Sequence, residues 1–192
     1  MARKKYDFRP DERTDRFKGF HMTRLQRLNI LKWLLYAVLC IFLLVVQDVI
    51  MSRVRIFGAP MDLPAAVILL ITVLVGSNYG SVFVLLASTF YWFSGSAPGP
   101  YCIGLMTFLG VIAAVFRQVW WRRGLRSTVL CAGAALILYE IAVFVIALIS
   151  GLAPWSRAGI FLLTAVYSWV VMVPLYPLAC KIGKIGGEPW KE

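Results

Sequence analysis

The sequence predicts an all-α integral membrane protein, a bundle of about six transmembrane helices with both termini in the cytoplasm. Three observations indicate this fold class. Of the 192 residues, 60% are hydrophobic and only 15% are charged, and the mean hydropathy is +0.78, whereas a soluble domain carries roughly a quarter charged residues. The apolar residues form long runs. The basic residues lie between those runs, and most of them fall on one side of the topology that the runs define.

Residues 1–32 precede the first apolar run and are predicted to form a basic cytoplasmic tail. Charges of both signs alternate through its first part, which is typical of a disordered segment, and residues 22–32 have the composition of a short interfacial amphipathic helix. A cleaved signal peptide would need a shorter charged region and a small-residue cleavage site. We therefore expect a retained first span, a membrane domain over residues 33–180 and a cytoplasmic tail over residues 181–192.

Six apolar segments follow the basic tail. A transmembrane helix needs about 20 apolar residues, and four of the segments have a suitable length, while the second and third are shorter and lie close together. This short pair forms either a tight helical hairpin across the bilayer or a re-entrant pair without a net crossing. The six segments cover residues 33–51, 62–77, 81–93, 101–120, 127–150 and 158–180.

The positions of the basic residues favour an even number of crossings. With the N-terminus in the cytoplasm, ten Lys or Arg residues before residue 33, four between residues 117 and 126, and three after residue 180 lie inside. A single crossing over residues 62–93 would move the last two groups outside, against the positive-inside bias. Three basic residues lie in outer loops, where topology does not need them, and we expect them to face an external partner: Arg53, Arg55 and Arg157.

The formal net charge of +11 indicates contact with anionic membrane lipids and not with nucleic acid. The basic residues lie at the ends of apolar segments and form no face of their own. The densest cytoplasmic group interleaves arginines with two tryptophans, and it either sets topology and contacts lipid headgroups or docks a cytoplasmic protein. Its arginines are Arg117, Arg122, Arg123 and Arg126.

Glu140 is the one ionisable residue well inside a long apolar segment, and it is predicted to lie near the middle of the bilayer. A carboxyl group there costs roughly 2.5 to 3.5 kcal/mol on insertion scales, so it needs a partner inside the bundle. It either binds a ligand, a proton or a partner's helix, or it makes a packing hydrogen bond. The neighbouring hydroxyl groups that could form such a bond belong to Tyr139, Thr164, Tyr167 and Ser168.

Gln47 and Asp48 lie near the outer end of the first segment and form either an interfacial hydrogen-bond network or a binding site. The sequence has no phosphate-binding loop, nucleophile elbow or metal-ligand spacing, and its four cysteines are scattered singly. We therefore expect no catalytic residue, no metal and no cofactor. A membrane enzyme is also disfavoured because Asp48, Asp62 and Glu140 are predicted to lie in different layers.

Five parts of the chain form a recognisable order of motifs. They are Gln47 near the end of the first segment, IFGAPMDL at residues 56–63, GSNYG at 76–80, FSGSAPG at 93–99, and the proline-containing final segment at 162–178. In the order of these motifs, the chain resembles the MreD family of small bacterial membrane proteins. The acidic residue that this family usually carries near the end of the third segment is replaced here by FYWF at residues 90–93.

This resemblance implies a non-enzymatic scaffold in the bacterial inner membrane. The family belongs to the cell-elongation machinery that determines rod shape and directs peptidoglycan synthesis. Its members are expected to bind the bitopic protein MreC by helix–helix contacts, and through it MreB, the polymerase RodA and its transpeptidase.

A different class of protein has the same size and number of spans. The substrate-binding membrane subunit of an energy-coupling-factor vitamin transporter would need a polar or aromatic pocket that opens outward. The residues that could line such a pocket are Tyr91, Trp92, Tyr101 and Trp155.

Overall fold

A computed structural model describes residues 24–51, 58–120 and 124–185, and all regular secondary structure in these parts is helical. This confirms the predicted all-α class. A π-helical turn, Gln47–Met51, follows the first helix, and a 3₁₀ turn, Trp155–Arg157, precedes the last. The six α-helices are α1 (Arg24–Val46), α2 (Leu63–Val75), α3 (Ser77–Phe93), α4 (Tyr101–Trp120), α5 (Leu125–Ile149) and α6 (Ala158–Gly183).

Four helical segments are long and apolar enough to cross a membrane. Their outward faces carry large apolar side chains, such as Phe42 on α1 and Phe108 on α4, which are 62% and 65% exposed. A soluble protein does not tolerate apolar surface on this scale, so lipid is the appropriate solvent for these helices. The four segments cover Gln26–Ile50, Tyr101–Trp120, Leu125–Ile149 and Trp155–Gly183.

Helix α1 differs from its predicted form at its start. The sequence indicates a separate interfacial helix over residues 22–32, but α1 runs without a break from Arg24 to Val46. Residues such as Ile30 and Leu31, which are 50% and 45% exposed, therefore extend the first span toward the N-terminus. The helix continues without a break because neither Gly nor Pro occurs within Arg24–Val46.

Helix α2 lies at the centre of the bundle. Every residue from Leu63 to Leu74 is buried, and α2 contacts all five other helices. Its sequence, LPAAVILLITVLV, is apolar on every face, as a helix enclosed by other helices requires. With 13 residues it is about 20 Å long at 1.5 Å per residue, shorter than the hydrocarbon core of a bilayer.

Helices α2 and α3 form a tight antiparallel hairpin. Gly76 alone joins them, with a φ of 101° and a ψ of 173°. At the far end of the pair, the Tyr91 hydroxyl near the end of α3 donates to Asp62 just before α2. Helix α3 therefore runs back along the full length of α2.

The two ends of the bundle differ in composition. One end, which we call the turn end, carries the α2–α3 turn together with the middle of α1, where the Trp33 and Tyr79 rings lie 6.3 Å apart. The middle of α1 also meets the end of α6, because the Tyr36 hydroxyl donates to the Ala179 carbonyl at 3.1 Å. The opposite end, the loop end, carries the described loop residues 58–62 and 94–100.

The Gly76 backbone gives a first prediction. Its φ and ψ lie in a region that only glycine populates readily, so Gly76→Ala should destabilise the protein by about 1 to 3 kcal/mol. A Cβ atom at Gly76 would also press on the Gln118 side chain. The measurement is thermal unfolding of the full chain in detergent micelles.

Gly104→Ala is the matched control for this variant. Gly104 lies inside α4, and a Cβ atom there would meet no atom within 4 Å. Because alanine favours a helix over glycine, this variant should be neutral or stabilising. Equal unfolding temperatures for the two variants would contradict the assigned strain at Gly76.

Candidate functional site

A cavity of about 280 Å³, which we call the polar cavity, lies among the helices at the loop end. Loop residues such as Ser96 and Pro98 line one part of it, and residues of α5 and α6 line another. Glu140 lies nine residues before the end of α5, about 14 Å along the helix axis. The polar groups that line the cavity belong to Gln47, Asp62, Tyr91, Ser96, Tyr139, Glu140 and Thr164.

Asp62 lines the cavity and also lies directly before the start of α2. Its Oδ1 atom accepts a hydrogen bond from the Ala65 amide at 3.1 Å, and its Oδ2 atom accepts from the Tyr91 hydroxyl at 2.8 Å. Its own backbone amide donates to the Ser168 hydroxyl at 2.8 Å. Asp62 is therefore the N-cap of α2, and its negative charge lies at the positive end of the helix dipole.

Gln47 bonds to the backbone on both sides of Asp62. Its Nε2 atom donates to the Met61 carbonyl at 2.5 Å, and its Oε1 atom accepts from the Leu63 amide at 3.2 Å. The π-helical turn that begins at Gln47 brings this side chain to the start of α2. One amide side chain thus satisfies two backbone groups inside the bundle.

Glu140 and Tyr139 have no hydrogen-bond partner within the described residues. Both side chains are buried, with 5% and 1% of their surface exposed. Among residues 24–51, 58–120 and 124–185, no group bonds to the Glu140 carboxyl or to the Tyr139 hydroxyl. None of the packing bonds considered for Glu140 is present in this part of the chain, and the Ser168 hydroxyl accepts from the Asp62 amide.

The acidic residues are closer together than the sequence suggests. The expectation that Asp62 and Glu140 lie in different layers is wrong, because both line the polar cavity and their carboxyl groups interact electrostatically. The two carboxyl groups meet because α2 is short: its start lies inside the bundle, at the depth of Glu140. Asp48 is exposed, and its Oδ1 atom accepts from the Ser96 hydroxyl at 2.5 Å.

Arg117 does not belong to an exposed cytoplasmic patch, which corrects its predicted position. It is 5% exposed, and it donates to the Thr128 hydroxyl at 3.1 Å and to the Leu74 carbonyl at 3.3 Å. Its charge therefore lies at the negative end of the α2 dipole.

Two of the other arginines that the sequence singles out, Arg126 and Arg157, are exposed. The other arginines that the sequence singles out lie outside the described residues: Arg53, Arg55, Arg122 and Arg123.

A second concave surface, which we call the α1–α3 groove, is open to lipid. It has a volume of about 460 Å³ and an almost entirely apolar lining. Small side chains, including Ala37 and Ala87, leave room beside larger ones such as Phe83 and Phe90. The groove and the polar cavity share no lining residue.

Sequence reasoning missed the central role of Asp62. The local signal is present, because Asp62 precedes Leu63 and Pro64, and an acidic cap followed by proline in the first turn marks a helix start. Tyr91 belonged to the predicted aromatic pocket and does line the cavity, but Trp92, Tyr101 and Trp155 do not. The described residues contain no group of three or more His, Cys, Asp or Glu residues that could hold a metal ion.

Comparison with protein-family models, curated proteins and solved structures finds no match to this chain.

The bonds of Gln47 give a second prediction. Gln47→Leu leaves the Met61 carbonyl and the Leu63 amide without their partner, so the free energy of unfolding should fall by about 2 kcal/mol. Gln118→Leu is the matched control, because Gln118 is exposed and its Oε1 atom accepts from the half-buried Ser77 hydroxyl, not from a backbone group. Thermal unfolding in detergent should separate the two variants, and an equal loss would contradict this role of Gln47.

Proposed function

We propose that this chain is a non-enzymatic membrane scaffold of the bacterial cell-elongation machinery, of the MreD type. Its place is the inner membrane, where it binds an MreC-like bitopic protein, and through it MreB, RodA and its transpeptidase. Two features support the proposal: the order of the MreD-like motifs along the sequence, and the small extramembrane portion of the described chain. A protein of this kind has mainly helix surfaces to offer its partners.

The α1–α3 groove is the observation that carries the proposal. In lipid there is no hydrophobic driving force between helices, so association depends on close packing at concave, small-residue surfaces. The groove supplies such a surface, with Ala37 and Ala87 beside the exposed Val82 and Phe90. Its lining residues cover about three turns of α1 and of α3, so the middle of a bitopic partner's transmembrane helix can pack along it.

The proposed topology has six crossings with both termini in the cytoplasm. The turn end, which carries the middle of α1 and the end of α6, would then face the cytoplasm, and the loop end would face outward. The short α2–α3 hairpin would count as two crossings, with the deeply placed start of α2 covered by protein and not by lipid. The excess of basic residues on the inner side supports this orientation.

Val82→Trp tests the groove as a partner-binding surface. Val82 lines the groove and is 59% exposed, so a bulky indole there should block a partner's helix while leaving the fold intact. We expect recovery of an MreC-like protein, co-expressed and purified in mild detergent, to fall at least about tenfold, as loss of a central packing contact does.

Val170→Trp is the control for this experiment. Val170 is 58% exposed on α6 and lies outside the groove, so the same substitution changes the same amount of lipid-facing surface. Recovery should match that of the unmodified chain. Equal recovery with both variants would exclude the groove, and failure of the unmodified chain to retain any cell-elongation protein would exclude the scaffold.

The polar cavity favours a second candidate function, the substrate-binding membrane subunit of an energy-coupling-factor vitamin transporter. The cavity lies at the end of the bundle that would face outward and combines aromatic and polar groups, including Tyr91 and Glu140. Native mass spectrometry of the purified chain tests this function. A stoichiometric vitamin would support the transporter, while recovery of elongation proteins without one would support the scaffold.

A further inference from the structure

Among the described residues, the polar cavity is lined by two carboxyl groups and by no basic side chain. Asp62 and Glu140 both line it, and none of the lining residues in that part of the chain is Lys, Arg or His. A negative charge that is buried away from water is costly unless a positive group pairs with it. The described walls of the cavity therefore carry acidic groups without a counter-ion of their own.

Two of its polar groups have unused hydrogen-bonding capacity. Tyr139 is 1% exposed and its hydroxyl has no partner, while the Glu140 carboxyl, 5% exposed, accepts no hydrogen bond within the described residues. Leaving a buried polar group unpaired costs about 1 to 3 kcal/mol. Tyr139 and Glu140 are neighbours in sequence and line the same cavity, so one ligand can satisfy both.

The third polar group is held in a fixed position. Asp62 is the N-cap of α2, and its two carboxyl oxygens accept from the Ala65 amide and the Tyr91 hydroxyl. Each carboxylate oxygen retains a further lone pair after these bonds. Asp62 can therefore accept one more hydrogen bond from a ligand without releasing α2.

These features define the chemistry of a ligand. A primary ammonium group has three donors and no acceptor, which matches three acceptors from Asp62, Tyr139 and Glu140. Among the described residues, no group of three or more His, Cys, Asp or Glu side chains could hold a metal ion, so this pair of carboxyl groups suits an organic cation better. The remaining wall includes Val143, Ile160 and Phe161, which suit a short apolar tail.

We propose that the polar cavity binds a small organic cation of the primary-amine class, with its ammonium group held by Asp62, Tyr139 and Glu140. The apolar part of the ligand lies against Val143, Ile160 and Phe161. The site is separate from the α1–α3 groove, since the two have no lining residue in common. Loss of partner binding in the groove variants would therefore leave this proposal intact. Likewise, failure of amine binding at the polar cavity would leave the proposed role of the groove intact.

Calorimetric titration of the full chain in mild detergent with n-butylammonium chloride tests the proposal. n-Butanol, an uncharged analogue with the same carbon chain, shows how much binding is simple apolar partition. We expect saturable binding of one butylammonium per chain and none of butanol. Glu140→Gln should weaken the binding by about tenfold or more, because it removes a charge-assisted hydrogen bond.

Two further variants make the test decisive. Glu188→Gln removes the same charge in the C-terminal tail, and its affinity should equal that of the unmodified chain. Tyr139→Phe removes only a hydroxyl group, so it remains a usable test variant if Glu140→Gln does not fold. It should weaken binding by about threefold to tenfold.

Three results would overturn the proposal. The first is equal binding of butylammonium and butanol. The second is unchanged affinity in Tyr139→Phe or in folded Glu140→Gln. The third is the absence of saturable binding up to about 10 mM, a concentration above the usual range of specific sites.

Discussion

The structure depends on satisfying the two ends of a helix that is enclosed on all sides. Both ends of α2 lie inside the bundle, and lipid offers no hydrogen bonds, so a backbone group left free there costs several kcal/mol unless protein supplies a partner. Asp62, Gln47 and Ser168 supply partners at the N-terminal end, and Arg117 supplies one at the C-terminal end. The two charges also complement the helix dipole. Four polar side chains from outside the body of α2 are therefore committed to its two ends.

The polar residues of the cavity include two groups, those that bond to the start of α2 and those that have no hydrogen bond in the described chain. Asp62 and Gln47 already have partners, whereas Glu140 and Tyr139 line the same cavity without hydrogen bonds in the described chain. The cavity combines a rigid wall with unpaired groups, as a preorganised binding site does. The α1–α3 groove lies outside this network and presents apolar surface alone. The molecule thus offers one surface suited to small polar ligands and another suited to helices.

The sequence predicts the long helices well and the central one only in outline. Apolar runs with no Gly or Pro identify a helix such as α1, because the signal is local. The burial of α2 cannot be predicted in this way, since its apolar sequence is equally compatible with exposure to lipid. In the sequence Arg117 groups with the nearby Arg122 and Arg123, yet its burial depends on α2 and α5 being beside it. The unpaired Tyr139 hydroxyl likewise depends on tertiary packing alone.

The bond between Tyr36 and the Ala179 carbonyl joins the first helix of the bundle to the last. During synthesis, α1 and α2 enter the membrane while the residues that complete their packing are still unmade. Ser168, which accepts from the Asp62 amide, lies 106 residues further along the chain. Until α6 is made, Asp62 and Gln47 already serve the Ala65 and Leu63 amides, but the Asp62 amide lacks its acceptor. A chain shortened before α6 would therefore lack both this last partner of the α2 start and one wall of the polar cavity.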